Sequence, residues 1–193
     1  MPRSVVAGLV GVAVVGLAIG LCLAGIPAPP LCTIEASGSG GCAPNAIVCP
    51  QGDSDLVTVS ITLIDQYGMP VAGQTVEVWP DPDATGFCFC SGEDLKTTTT
   101  DIDGECDVTL QHFGGCGDLG FYAECLYVQI GPSDPIHVAS YDINGDCAVS
   151  LLDFIVFAGA YHTEDTCSDY DCDGTVGLTD FITFAGHYAH ACE

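Results

Sequence analysis

Basic residues are nearly missing from this chain. Its 193 residues include two, Arg3 and Lys96, against 26 acids, for a formal net charge of −24. Nucleic acids and anionic membrane surfaces are both held through patches of Lys and Arg. No nucleic-acid partner is therefore expected, and a membrane only through an inserted apolar segment. Catalytic signatures are missing as well: there is no G-x-S-x-G, no HExxH and no P-loop. A glycosidase cleft needs a larger scaffold than this chain offers. None of the 13 cysteines forms a C-x-x-C pair of the zinc-knuckle or dithiol redox type, and the CFC at 88–90 has the wrong spacing. The expectation is a protein that is not an enzyme.

Cysteine itself is abundant, which points to an oxidising compartment, secreted or at the cell surface. Cys22 lies in an N-terminal apolar run; the other twelve are an even number, as in a fully disulfide-bonded exported protein. Their connectivity does not follow from the sequence. With 48% hydrophobic residues the chain is not a disordered acidic tail.

The N-terminus, MPRSVVAGLVGVAVVGLAIGLCLAGIPAPP, places one arginine before an uncharged run that ends at three prolines. Two readings stand: a secretory signal cut near Ala24, or a retained segment that anchors the chain or packs as an apolar helix in an assembly. The organisation expected is residues 1–30 as this signal or helix and 31–53 as a Cys/Gly/Ser-rich linker or N-terminal strand. Residues 54–136 are then a β domain and 137–193 a small helical tail.

In LVTVSITLIDQYGMPVAGQTVEVWP (56–80), Val57, Val59, Ile61 and Leu63 alternate with polar residues, the period of a half-buried strand. DQYGMP reads as a turn, and residues 74–78 alternate again. TTTTDIDGECDVTL (97–110) reads as strand, hairpin turn and strand, and GFYAECLYVQI (120–130) as the last strand. Many short strands separated by turns imply a β-sandwich. The combination of VTVSITLIDQYGMPVAGQTVEV with TTDIDGECDVTL resembles bacterial Ig-like domains of the invasin and intimin type. That resemblance implies a spacer, adhesive or assembly module.

The strongest signal is a duplication. DINGDCAVSLLDFIVFAGAYH (142–162) and DYDCDGTVGLTDFITFAGHYA (169–189) align with an offset of 27 residues, 142 to 169. Each opens with acids alternating along a twelve-residue loop. Calcium takes six to eight oxygens, and such a loop supplies them from positions 1, 3, 5, 7 and 12. In the first copy these are Asp142, Asn144, Asp146, the Ala148 carbonyl and Asp153; in the second, Asp169, Asp171, Asp173, the Thr175 carbonyl and Asp180. Two calcium ions are expected, because crowded carboxylates repel unless a cation neutralises them. Position 6 must turn sharply. Gly174 stands there in the second copy and Cys147 in the first, where a left-handed backbone costs about 1 kcal/mol. The first loop is therefore expected to be weaker unless a disulfide holds it. Val149 and Val176, at position 8, suit an apolar pairing between the loops.

Two EF-hand-like loop–helix repeats with Asp at position 12 resemble type I dockerin domains. The resemblance implies a small antiparallel helix pair held by two calcium ions, and docking onto cohesin-like partners. Loop positions 10 and 11 are Leu151 and Leu152, then Leu178 and Thr179, where cohesin-reading dockerins carry hydroxyls. The helices are apolar on more than one face, and a face left over is a partner site. HYAHAC (187–192) is read as exposed histidines beside a disulfide cysteine.

The whole reads as a mainly β, Ig-like sandwich followed by a dockerin-like calcium pair. The function expected is a bacterial extracellular structural protein that self-assembles as a homo-oligomer, filament or matrix. The alternative is an adaptor docking onto a cohesin-like protein.

Overall fold

The computed structural model describes residues 25–40 and 46–193. Almost all of the N-terminal apolar run, expected as signal or helix, lies outside the described residues. Among those described, no helix is long and apolar enough to cross a membrane.

The chain is mainly β, with several sheets and two helices. The alternating segment forms β3 (Val57–Thr62), and Val57, Val59, Ile61 and Leu63 are all buried. β3 pairs antiparallel with β1 (Thr33–Gly38) on one side and β7 (Glu105–Leu110) on the other. A second antiparallel sheet is built from β4 (Thr75–Pro80), β6 (Lys96–Thr99), β10 (Phe121–Cys125) and β11 (Val128–Ile130), in the order β11-β10-β4-β6. Val59, Ile61, Val108 and Leu110 from the first sheet meet Val76, Val78, Phe121 and Ala123 from the second in one core. Burying a side chain of this size stabilises by roughly 1.5–3 kcal/mol.

Two strand readings change. DIDGE closes a tight turn in which Asp101 Oδ1 accepts the N–H groups of Asp103 and Glu105, both at 2.9 Å. It is not a hairpin, because β6 and β7 belong to different sheets and the turn carries the chain from one to the other. Nor are residues 120–130 one closing strand. Leu126 and Tyr127 take left-handed φ of 52° and 64°, folding the segment into the two-residue hairpin β10–β11.

Another strand follows, β12 (Ile136–Ser140), parallel to β2 (Ala46–Val48) and antiparallel to β9 (Gly117–Leu119). β5 (Phe87–Phe89) pairs with β8 (Phe113–Gly115). These two small sheets carry the tail, which starts directly after β12. Its helices are α1 (Leu151–Ala160) and α2 (Leu178–Gly186). They share a second core with the β part, in which Phe157, Phe184, Val149, Val176 and Tyr170 pack against Cys49 and Tyr141.

Three disulfides, Cys88–Cys147, Cys90–Cys192 and Cys116–Cys167, all join the β part to the tail. Cys172 is disulfide-bonded as well. Pairing is not complete, however: Cys32, Cys49, Cys106 and Cys125 are free thiols. Burial pushes the Cys49 and Cys106 thiols up to about 11 and raises Cys125 too. They stay protonated and fill the core as small apolar groups.

Phe121 is fully buried between the two large sheets. Phe121→Ala is expected to cost about 3–5 kcal/mol, measured as a lowered denaturation midpoint in urea with disulfides intact.

Candidate metal centre

Each acidic loop is wound around its own first carboxylate. In the first loop Asp142 Oδ1 accepts the Asp146 N–H at 3.0 Å, and Oδ2 the Cys147 N–H at 2.8 Å. In the second, Asp169 Oδ2 accepts the Gly174 N–H at 2.9 Å. The position-12 acids tie each loop to its helix. Asp153 Oδ1 accepts from Asn144 N at 3.1 Å while its Oδ2 accepts from Ser150 N at 2.7 Å. Asp180 repeats this, accepting from Asp171 N at 3.0 Å and Gly177 N at 2.7 Å. One carboxylate thus closes the loop and caps the first turn of its helix.

The structure brings Asp142, Asp146 and Asp153 together, with one oxygen of each within 4.8 Å of the others; Asp169, Asp171 and Asp180 form the matching set. Asn144 stands beside the first set, its Oδ1 accepting from Asp146 N at 2.9 Å. Ala148 donates its N–H to Asp146 Oδ1 at 3.2 Å. The Thr175 carbonyl oxygen lies on the Asp180 side of the second loop: a Cβ on Gly177 would meet it at 3.7 Å and Asp180 Oδ2 at 3.8 Å. Asp173 lies outside the second set and accepts from Thr175 N at 2.9 Å.

The donors suit a hard cation. All are oxygens, as calcium prefers. Asp142, Asp153 and Asp180 are fully buried or nearly so, where carboxylate charge is costly without a counter-charge. Burial, reinforced by the Asp153 and Asp146 carboxylates, pushes the Asp142 carboxyl up to about 6. Asp169 Oδ1 is buried and has no hydrogen-bond partner. Two other clusters, Cys88/Cys147/Cys192 and Cys116/His137/Cys167, hold their sulfurs in disulfides and have no thiolate for a metal.

The two loops differ in how they are mounted. The first is built onto the β5–β8 pair: Gly115 donates its N–H to the Asp142 carbonyl at 2.7 Å. A Cβ on Gly114 would overlap the Asp142 carboxylate, and one on Gly145 would overlap the Gly86 carbonyl. Around Gly174 in the second loop there is open space. The glycine pair in HFGGCG is the sequence's sign of this close approach, a signal that apolar periodicity does not carry.

Position 6 is left-handed in both loops, at φ 74° for Cys147 and 90° for Gly174. Position 4 is left-handed too, at Gly145 (φ 66°) and Cys172 (φ 60°). Each loop therefore has one glycine and one disulfide-bonded cysteine at these two places, in opposite order. Cys147 is held by Cys88, so the condition under which the first loop would not be the weaker one is met.

Val149 and Val176 share the second core, but their backbones do not pair with each other. Val149 donates to the His190 carbonyl at 2.7 Å and accepts from Ala189 N at 2.9 Å. Val176 donates to the Thr163 carbonyl at 2.9 Å and accepts from His162 N at 2.9 Å. Each loop is clamped by the segment that follows the other loop's helix. His187 and His190 are half-buried rather than exposed: His187 stacks on Tyr141 at 3.8 Å, and His190 Nδ1 lies 3.4 Å from Cys49 Sγ.

With Cys88→Ser as background, Cys147→Gly is expected to be more stable than Cys147→Ser by about 1 kcal/mol, because glycine takes the left-handed φ without strain. Thermal unfolding of the two double variants checks this.

No family model matches this chain, and no curated protein does either.

Proposed function

We propose that this chain is a non-enzymatic, calcium-stabilised structural protein of the extracellular space, a subunit that assembles with its own copies into a fibre or matrix. In this reading the two facing sheets are an Ig-like sandwich and the tail is a dockerin-like pair holding two calcium ions. Export to the cell surface or beyond is supported by the disulfides, which need an oxidising compartment.

One observation carries the choice over the adaptor reading. An address tag for a cohesin-like receptor is useful when it hangs from its cargo on a linker. Here β12 runs into the first acidic loop through a single residue, Tyr141, and three disulfides bolt the tail to the sheets. Such a tail serves as a rigid end of a building block.

Calcium neutralises the buried carboxylates and thereby fixes the direction in which each helix leaves its loop. Native mass spectrometry is expected to count two calcium ions on the wild type and one on Asp153→Ala or Asp180→Ala; no bound calcium on the wild type would reject the calcium assignment. Electron microscopy of the natively exported protein in millimolar calcium is expected to show regular fibres that shorten or disperse on chelation. Uniform single particles at high concentration would reject the assembly reading.

A further inference from the structure

Of 19 large apolar side chains exposed among the described residues, ten lie within residues 151–188 of the tail. The only charged residues in 151–162 and 178–189 are Asp153 and Asp180, and both are buried against the loops. A chain of net charge −24 thus carries two neighbouring helices with no exposed carboxylate of their own. Their cleft, of about 300 Å³, is lined by Phe154, Phe157, Ala158, Tyr161 and Phe181.

That surface is repeated within itself. Equivalent residues of the two copies are exposed alike: Leu151 and Leu178 at 59% and 64%, Phe154 and Phe181 at 36% and 38%, Ile155 and Ile182 at 58% and 63%. The mixed ring distances also agree, Phe154–Phe184 at 6.3 Å and Phe157–Phe181 at 6.2 Å, as an approximate two-fold axis between the helices requires. The reciprocal clamping of Val149 and Val176 follows the same axis.

We propose that the α1–α2 face binds the same face of a second copy of this chain about a two-fold axis. The proposal rests on the assembly reading above and supplies one of its joints. An isologous contact needs residue i to meet j while j meets i, and a face already two-fold in its own pattern presents matching ridges to itself. Charge selects the same place: two strongly acidic chains repel within a Debye length of about 8 Å, except where neither presents charge. Leu152 and Val156 lie on the other side of α1 from Phe154; the remaining eight side chains, most about half-exposed, come close to the roughly 800 Å² per partner of a standard interface.

The test is sedimentation velocity on the full chain in millimolar calcium, below the concentration at which fibres form. A reversible dimer is expected for the wild type. Ile155→Asp with Ile182→Asp is expected to weaken it by about 100-fold or more, the loss of a central apolar anchor. Ile102→Asp, on the 85% exposed residue of the β6–β7 turn, should leave it unchanged. Circular dichroism and the thermal midpoint establish that each variant is folded, and an Ile155→Ser, Ile182→Ser pair repeats the measurement if the charged pair is not. A photo-crosslinker at position 182 should capture helix residues of another copy.

A monomeric wild type, a dimer that survives the double substitution, or a crosslink to residues 1–24 or to the sheets overturns the proposal. The two readings fail separately. Fibres that form unchanged from the double variant remove this joint and leave the assembly reading standing. Dimers that never grow longer do the reverse.

Discussion

Asp142 is the residue through which the two parts of this molecule depend on each other. It is the first residue of the first acidic loop and lies one position past the β12 strand and Tyr141. Its carbonyl accepts from Gly115, and its carboxylate receives the turn of the loop from Asp146 and Cys147. The group is fully buried, so its charge needs both those N–H groups and, in the calcium reading, the ion. Sheet, loop and helix meet there at one carboxylate, and β8 comes so close that a Cβ on Gly114 would overlap it.

The disulfides act on the same junction from outside. Cys88 reaches the loop at its left-handed sixth position, Cys90 holds the C-terminus, and Cys116 holds the stretch between the helices. Cross-links of this kind restrict the unfolded chain more than they add contacts to the folded one. Electrostatics makes that useful here. A chain with a net charge of −24 repels itself when compact, and the tail carries acids packed together at its loops.

Much of the carboxylate centre was legible in the residues because its code is local: alternate acids, a turn, a closing acid. The inward faces of β3 and β4 were legible for the same reason, since strict alternation of Val57, Val59 and Ile61 or of Val76 and Val78 has few other meanings. What escaped was non-local or carried no apolar signal. β8 is Phe-Gly-Gly, and β2 is three residues long and pairs with a strand some ninety positions away. β6 and β7 read as a hairpin because the Asp101 turn is built like one, and only their pairing, β6 with β4 and β7 with β3, parts them into different sheets. The four free thiols were miscounted because parity cannot distinguish a pairing cysteine from one that serves as a small core residue.

The reciprocal clamp has a consequence for how the tail folds. Val176 of the second loop is bonded to the residues after α1, and Val149 of the first to the residues after α2. Each copy closes its own loop through Asp153 or Asp180, but its position-8 valine takes its backbone partners from the residues after the other copy's helix. Releasing either clamp frees the Val149 or Val176 amide, so those two amides report on the contact between the halves while the other loop amides report on their own carboxylates.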